Sequence, residues 1–161
     1  MILAIAALSV AACSQAQDSG DYSGVVRFDS ATIRVLSARG PLTLRVEVAR
    51  SPEQRTMGLM ERTALSDSGG MLFLYERDEP ATAGFWMYRT RIPLDIAYID
   101  SSGAVVAIRR MEPCTATLAS GCPTYEPGVP YRAALEVNAG MLERAGIGLG
   151  TRVALPDWDG P

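Results

Sequence analysis

The chain has 161 residues, a formal net charge of −3 and no histidine. All 15 basic residues are arginine, so lysine is absent as well. These absences exclude a Ser-His-Asp triad, a two-histidine zinc site, a Schiff-base lysine and a phosphate-loop lysine. The negative charge argues against nucleic acid as a partner, because no domain-wide positive field exists to neutralise phosphates. Acid–base chemistry would need carboxyls, cysteines or tyrosines with a displaced pKa.

The first residues form an apolar, alanine-rich run over 2–12 that ends at Cys13. This run is too short to span a bilayer as a helix, which needs about 20 residues, but it suits the h-region of a secretory signal. The pattern resembles a bacterial lipoprotein signal. That resemblance implies a signal peptide over 1–12, lipidation of Cys13 and a lipid anchor at the periplasmic face of the outer membrane of a Gram-negative bacterium. The alternative is a buried N-terminal helix with an ordinary cysteine.

Residues 13–24 are polar and aperiodic after the cysteine, so they are interpreted as a flexible tether. Residues 25–161 then have the length of a single domain. With Cys13 lipidated, Cys114 and Cys122 remain as a pair in an oxidising compartment.

A disulfide between these two cysteines would close a loop of about 9 residues and stabilise the fold by roughly 2.5 kcal/mol. A metal site would need further nitrogen or sulfur ligands, and a catalytic dithiol usually lies in a tight C-x-x-C motif. We therefore expect a structural disulfide here, and neither a metal nor a cofactor.

The rest of the chain consists of short stretches typical of strands, separated by turn residues. Strands are predicted at 25–28, 32–36, 43–49, 71–75, 84–89, 94–100, 104–111, 131–137 and 151–155. Ser51, Pro52 and Gln54 predict a short helix that begins with a capping box, and a second short helix is predicted around 139–145. About nine strands and two short helices predict a mainly β fold, either a small sandwich or a barrel.

A series of short motifs follows a definite order along the chain. The motifs are R-T-M-G-L-M at 55–60, G-M-L-F at 70–73, G-F-W-M at 84–87, I-P-L-D-I at 92–96, L-E at 135–136, A-G at 139–140 and G-I-G at 146–148. Together they resemble the domain of unknown function 192 family over roughly residues 42–155. The resemblance implies a compact, mainly β barrel or jelly-roll-like domain that is often exported. It implies no activity.

Four polar residues stand among apolar neighbours and are the candidates for chemistry: Arg55, Asp95, Arg132 and Glu136. Asp95 lies on a strand whose two faces are both largely apolar, so it needs a partner, because an unpaired buried charge is costly. Arg55 is the expected partner, since a guanidinium can bind a carboxylate through two parallel hydrogen bonds. Glu136 shares a strand face with Arg132 and Ala134, so it faces either solvent or a cleft.

Three interpretations of these residues remain open. In the first, Arg55 and Asp95 form a buried structural ion pair that holds the helix on the sheet. In the second, a concave surface binds a small envelope ligand or peptide, and its lining residues are Arg55, Trp86, Tyr88, Asp95 and Glu136. In the third, Asp95 and Glu136 are a catalytic carboxyl pair that hydrolyses an envelope glycan.

Carboxyls and tyrosines beside arginines suit binding better than turnover. The preferred interpretation is therefore a non-catalytic β domain that binds an envelope ligand or protein partner. A carboxylate-dependent hydrolase and a purely structural component of an envelope assembly are the alternatives.

Overall fold

A computed structural model describes residues 26–156. The expected signal peptide, Cys13 and the tether over 13–24 lie outside the described residues. Among residues 26–156, no helix is long and apolar enough to cross a membrane.

The described chain is mainly β, as the sequence predicts, with nine strands and two short helices. The strands are β1 (Asp29–Ser37), β2 (Gly40–Ala49), β3 (Gly69–Glu79), β4 (Phe85–Trp86), β5 (Leu94–Ile99), β6 (Val105–Met111), β7 (Thr124–Tyr125), β8 (Tyr131–Asn138) and β9 (Arg152–Ala154). The helices are α1 (Pro52–Met57) and α2 (Met141–Ala145). A single 3₁₀ turn covers Ala119–Gly121.

Seven strands form one curled sheet in the order β6-β5-β8-β3-β2-β1-β9. Neighbouring strands are antiparallel except for β2 and β3, which are parallel. The curl makes the sheet a half-barrel, because it brings the two edges together at one end. There the Val105 amide donates to the Thr151 carbonyl (2.9 Å) and the Val153 amide donates to the Gly103 carbonyl (2.9 Å). Strands β4 and β7 form a separate two-stranded sheet.

Both faces of the central strands are covered, so the domain has two hydrophobic cores. The first core includes Ala97, Ile99 and Leu142 of α2. The second core, on the opposite face of the sheet, includes Ile96 and Tyr98. All six residues of β5 are therefore buried, which explains why this strand is a continuous apolar run rather than an alternating one.

Local sequence explains the elements that the sequence analysis placed correctly. The predicted hairpin over 32–36 and 43–49 is confirmed as β1 and β2. The predicted capping box is confirmed at α1, where the Ser51 hydroxyl accepts from the Gln54 amide at 3.2 Å. The Gln54 side chain accepts in return from the Ser51 amide at 3.0 Å.

Two strand predictions need correction. Residues 26–28 are not in a strand, and the strand predicted at 84–89 is reduced to the two residues of β4. The two residues of β7, which pair with β4, were not predicted. These short strands form only because the chain before β8 folds back along β4.

Cys114 and Cys122 are joined by a disulfide that encloses the 3₁₀ turn. The loop is attached to the chain after β4, because the Cys114 amide donates to the Met87 carbonyl at 3.3 Å. The Tyr88 hydroxyl also donates to the Thr117 carbonyl inside the loop. The disulfide thus stabilises a loop that supports the segment around Tyr88.

Asp95 joins three elements on the first-core side of the sheet. Its Oδ1 accepts from Arg110 Nε on β6 at 2.6 Å, and its Oδ2 accepts from the Gly140 amide at the start of α2 at 2.7 Å. Asp95 and Arg110 are direct cross-strand neighbours. The expected ion pair between Arg55 and Asp95 is therefore wrong. Sequence spacing cannot reveal which arginine a strand pairing places opposite a carboxylate.

Replacing Asp95 by alanine should lower the free energy of unfolding by about 2–4 kcal/mol, because the Gly140 amide loses its acceptor and Arg110 loses its ion pair. Chemical denaturation in urea measures the change. Asp95→Asn should cost less, since an amide oxygen can still accept from Gly140. Equal stability of wild type and Asp95→Ala would contradict this role.

Candidate binding cavity

A cavity of about 220 Å³ opens on the second-core side of the sheet, between α1, β3, β4 and β8. Its wall combines one carboxyl, one guanidinium and several apolar side chains with five aromatic rings. The rings belong to Phe73, Tyr75, Phe85, Trp86 and Tyr88. A concave wall that combines aromatic and apolar side chains with a few polar groups is typical of a small-molecule site.

The structure brings together four of the five residues that the sequence analysis proposed for ligand binding. The residues that line the cavity are Arg55, Trp86, Tyr88 and Glu136. The fifth, Asp95, is bonded to Arg110 and Gly140 on the other side of the sheet.

Glu136 forms the floor of the cavity. It lies in the middle of β8, opposite Met71 of β3 and Ile96 of β5, and only 4% of it is exposed. Strand β3 approaches β8 closely here because Gly70 has no side chain. A Cβ at Gly70 would lie 2.5 Å from the Glu136 carbonyl oxygen. The small residue thus permits the strand pairing that holds Glu136 in place.

The Glu136 carboxyl has no hydrogen-bond or ion-pair partner among residues 26–156. Burial alone therefore governs its protonation, and it raises the pKa of Glu136 from the ordinary 4.5 to about 8. The side chain is mostly protonated and uncharged at neutral pH. It is the kind of displaced titrating group that is typical of functional sites.

Arg55 lies on the wall of the cavity and is held by backbone groups. Its guanidinium donates to the Leu74 carbonyl at 3.2 Å and to the Arg50 carbonyl, and it stacks over the Tyr75 ring with 4.7 Å to the centroid. The capping box orients the short helix that carries it. These contacts place a fixed positive charge beside an aromatic ring.

The aromatic part of the wall rests on the small β4–β7 sheet. Gly84 immediately precedes β4. A Cβ at Gly84 would lie 2.9 Å from the Tyr125 carbonyl oxygen, so the absence of a side chain allows β4 to pair with β7. The Phe85 ring then packs edge-on against Phe73, with 4.9 Å between centroids. The next residue, Trp86, is 43% exposed. The wall is therefore packed from behind and open at Trp86.

Sequence reasoning missed Phe85 on β4 and two aromatic residues on β3, Phe73 and Tyr75. Both alternate along β3 with Met71, which is the cross-strand neighbour of Glu136, so they share its face of the sheet. The alternation of Met71, Phe73 and Tyr75 is visible in the sequence. Only the register between β3 and β8 shows that these residues share a face of the sheet with Glu136.

The catalytic pair expected from Asp95 and Glu136 is wrong. Glu136 is the cross-strand neighbour of Ile96, so the adjacent Asp95 points to the opposite face of the sheet. Glycoside hydrolysis needs two carboxyls on either side of one scissile bond. A packed sheet separates these two.

These features define a class of protein: a small, mainly β half-barrel with an aromatic cavity built over a buried carboxyl. The chain belongs to the domain of unknown function 192 (DUF192) family, described as Uncharacterized ACR, whose profile matches residues 34–155.

Solved structures similar to this chain include the following two. One, from Sinorhizobium meliloti 1021, is described as a candidate transcription regulator. It is 32% identical over 81% of this chain and 97% of its own, with a TM-score of 0.72. The other, a protein of unknown function from Novosphingobium aromaticivorans DSM 12444, is 32% identical over 82% of this chain and 89% of its own, with a TM-score of 0.71. No curated protein matches the chain significantly.

The raised pKa of Glu136 makes stability depend on pH. Between pH 4.5 and about 8, the unfolded chain has released the Glu136 proton while the native protein keeps it. The free energy of unfolding therefore falls as the pH rises through this range. Glu136→Gln has no such proton. The free energy of unfolding of the variant minus that of wild type should therefore rise by roughly 4 kcal/mol between about pH 4 and pH 9.

Urea denaturation across this pH range measures the difference. Glu143→Gln, on the exposed side of α2, removes the same formal charge at an exposed position and should follow the wild-type curve. Parallel curves for wild type and Glu136→Gln would show that the Glu136 carboxyl titrates normally.

Proposed function

We propose that this domain binds a small organic ligand in the cavity above Glu136, without converting it, while a lipid on Cys13 anchors it to the periplasmic face of the outer membrane. The observation that carries the binding proposal is that Glu136, a residue only 4% exposed, lines a cavity and has no protein hydrogen-bond partner among residues 26–156. Burial disfavours the charged form of this carboxyl and raises its pKa. A ligand that donates to the carboxyl from the cavity would offset that effect.

The support around the cavity favours binding to a preformed site. Arg55 is held by two carbonyl oxygens, Phe85 by edge-on packing, and Tyr88 by a hydrogen bond to the disulfide loop. Side chains that are already ordered lose little entropy when a ligand binds.

The composition of the wall favours binding over catalysis. Among residues 26–156, Glu136 is the one carboxyl that lines the cavity, whereas hydrolysis of a glycosidic bond requires two. A formal net charge of −3 provides no overall attraction to nucleic acid, so it does not favour a role like the one in the description of the Sinorhizobium protein.

Blocking the mouth of the cavity should abolish binding. Thr56 is exposed and lines the cavity, so Thr56→Phe should fill the opening without disturbing the core. A panel of small aromatic and aliphatic fragments, detected by saturation-transfer NMR, should contain compounds that bind wild type and lose at least about tenfold in affinity for Thr56→Phe.

Thr43→Phe, exposed on β2 away from the cavity, is the matched control and should bind the same fragments as wild type. A panel with no binder, or binders that Thr56→Phe leaves unaffected, would refute the proposed cavity function.

The lipid anchor rests on the apolar run that ends at Cys13. Two or more acyl chains hold a protein stably on a membrane, whereas one chain gives marginal binding. Expressed as the full chain in a Gram-negative host, the protein should incorporate labelled palmitate and sediment with outer-membrane vesicles. Cys13→Ser should abolish both.

The double variant Cys114→Ser/Cys122→Ser tests whether the label depends on Cys13 alone, because it removes the other two thiols and should still be labelled. Absence of label from the wild-type chain would refute the anchor and leave the cavity proposal intact.

A further inference from the structure

The arginine and the glutamate of the cavity wall differ in the partners they have within the protein. Arg55 donates from Nη1 to two backbone carbonyls and stacks on Tyr75, so its guanidinium already has partners within the protein. Glu136 has no such partner in the described chain. The missing interaction at this site is therefore a donor for a carboxyl oxygen.

The surroundings of that carboxyl suit a donor that carries positive charge. A charge-assisted bond from an ammonium to a carboxylate is stronger than a bond from a neutral donor. Aromatic rings attract cations through their negative faces, and five rings line the same wall. One of them, Tyr75, already holds the guanidinium of Arg55.

Leu59 and Met60, between α1 and β3, add apolar surface to the wall, and Thr56 and Thr90 add two hydroxyls. The apolar surface suits a ligand body that is itself apolar. A molecule that fills about 220 Å³ here needs one charged head and a compact aromatic or aliphatic remainder.

We propose that the ligand is a small organic amine, whose ammonium group binds the Glu136 carboxylate while its apolar body packs against Phe85 and Trp86. This inference deepens the proposed cavity function and rests on it. It assigns Glu136 the recognition of the head group and the aromatic wall the recognition of the body.

Binding of this kind is coupled to a proton. In the free protein, Glu136 is mostly protonated at neutral pH, so a bound ammonium displaces the carboxyl proton to solvent and keeps its own three protons. The other ionisable side chains beside Glu136 are Arg55, Tyr75, Tyr88 and Tyr98. Burial raises the pKa of Tyr75 and of Tyr98, so these two hydroxyls stay protonated near neutral pH.

The test compares amines with the alcohols of the same carbon skeleton. The pairs are benzylamine and benzyl alcohol, 2-phenylethylamine and 2-phenylethanol, and cyclohexylmethylamine and cyclohexylmethanol. Calorimetry of each in two buffers of different ionisation enthalpy gives the affinity and the number of protons released. At about pH 7, an amine should bind more tightly than its alcohol and release close to one proton, and its affinity should rise about fivefold by pH 8.

Glu136→Gln should weaken the amine by at least about tenfold and abolish proton release, while Glu143→Gln should change neither. Retention of the fold by Glu136→Gln is checked by its denaturation curve. Alcohols that bind as tightly as their amines, or amines that bind without proton release, would overturn the amine assignment but leave the cavity function standing. Failure of every pair, while other fragments still bind at the cavity, would also overturn it. Failure of all fragments would overturn both proposals.

Discussion

Burial of both faces of the central strands β5, β8 and β3 is the constraint on which the rest of this structure depends. A strand points successive side chains to opposite faces, so each of these strands contributes to two cores at once. Two adjacent residues therefore enter different environments. Asp95 lies on one side of the sheet and bonds to Arg110 and Gly140, whereas Ile96 and its neighbour Glu136 lie on the other.

The two buried carboxyls show how partners decide the role of a charged side chain. Asp95 has an arginine and a backbone amide, and these contacts hold α2 against the sheet. Glu136 has no hydrogen-bond or ion-pair partner within the described chain, and burial raises its pKa to about 8. The first arrangement is a structural bond. The second arrangement leaves the Glu136 carboxyl beside a cavity that is large enough for a small molecule, and a bound molecule could donate a hydrogen bond to it.

Local patterns sufficed for elements that short-range physics determines. The alternation in β1 and β2 and the hydroxyl and amide of the capping box depend on residues within a few positions of one another. The two residues of β7 have no comparable local signal, because they pair with β4 only after the intervening disulfide loop turns the chain back. The partner of Asp95 was missed for the same reason, since it lies on the neighbouring strand.

The sequence by itself determined the mainly β class, the family resemblance and four of the residues that line the cavity. Arg55, Trp86, Tyr88 and Glu136 stand out by chemical type among apolar neighbours. Only the tertiary structure decided that Asp95 is excluded from that group and that Phe73 and Tyr75 belong to it. The physical reason is strand register. Composition and spacing show which side chains are unusual, but a shift of one residue in pairing would exchange the two faces of the sheet.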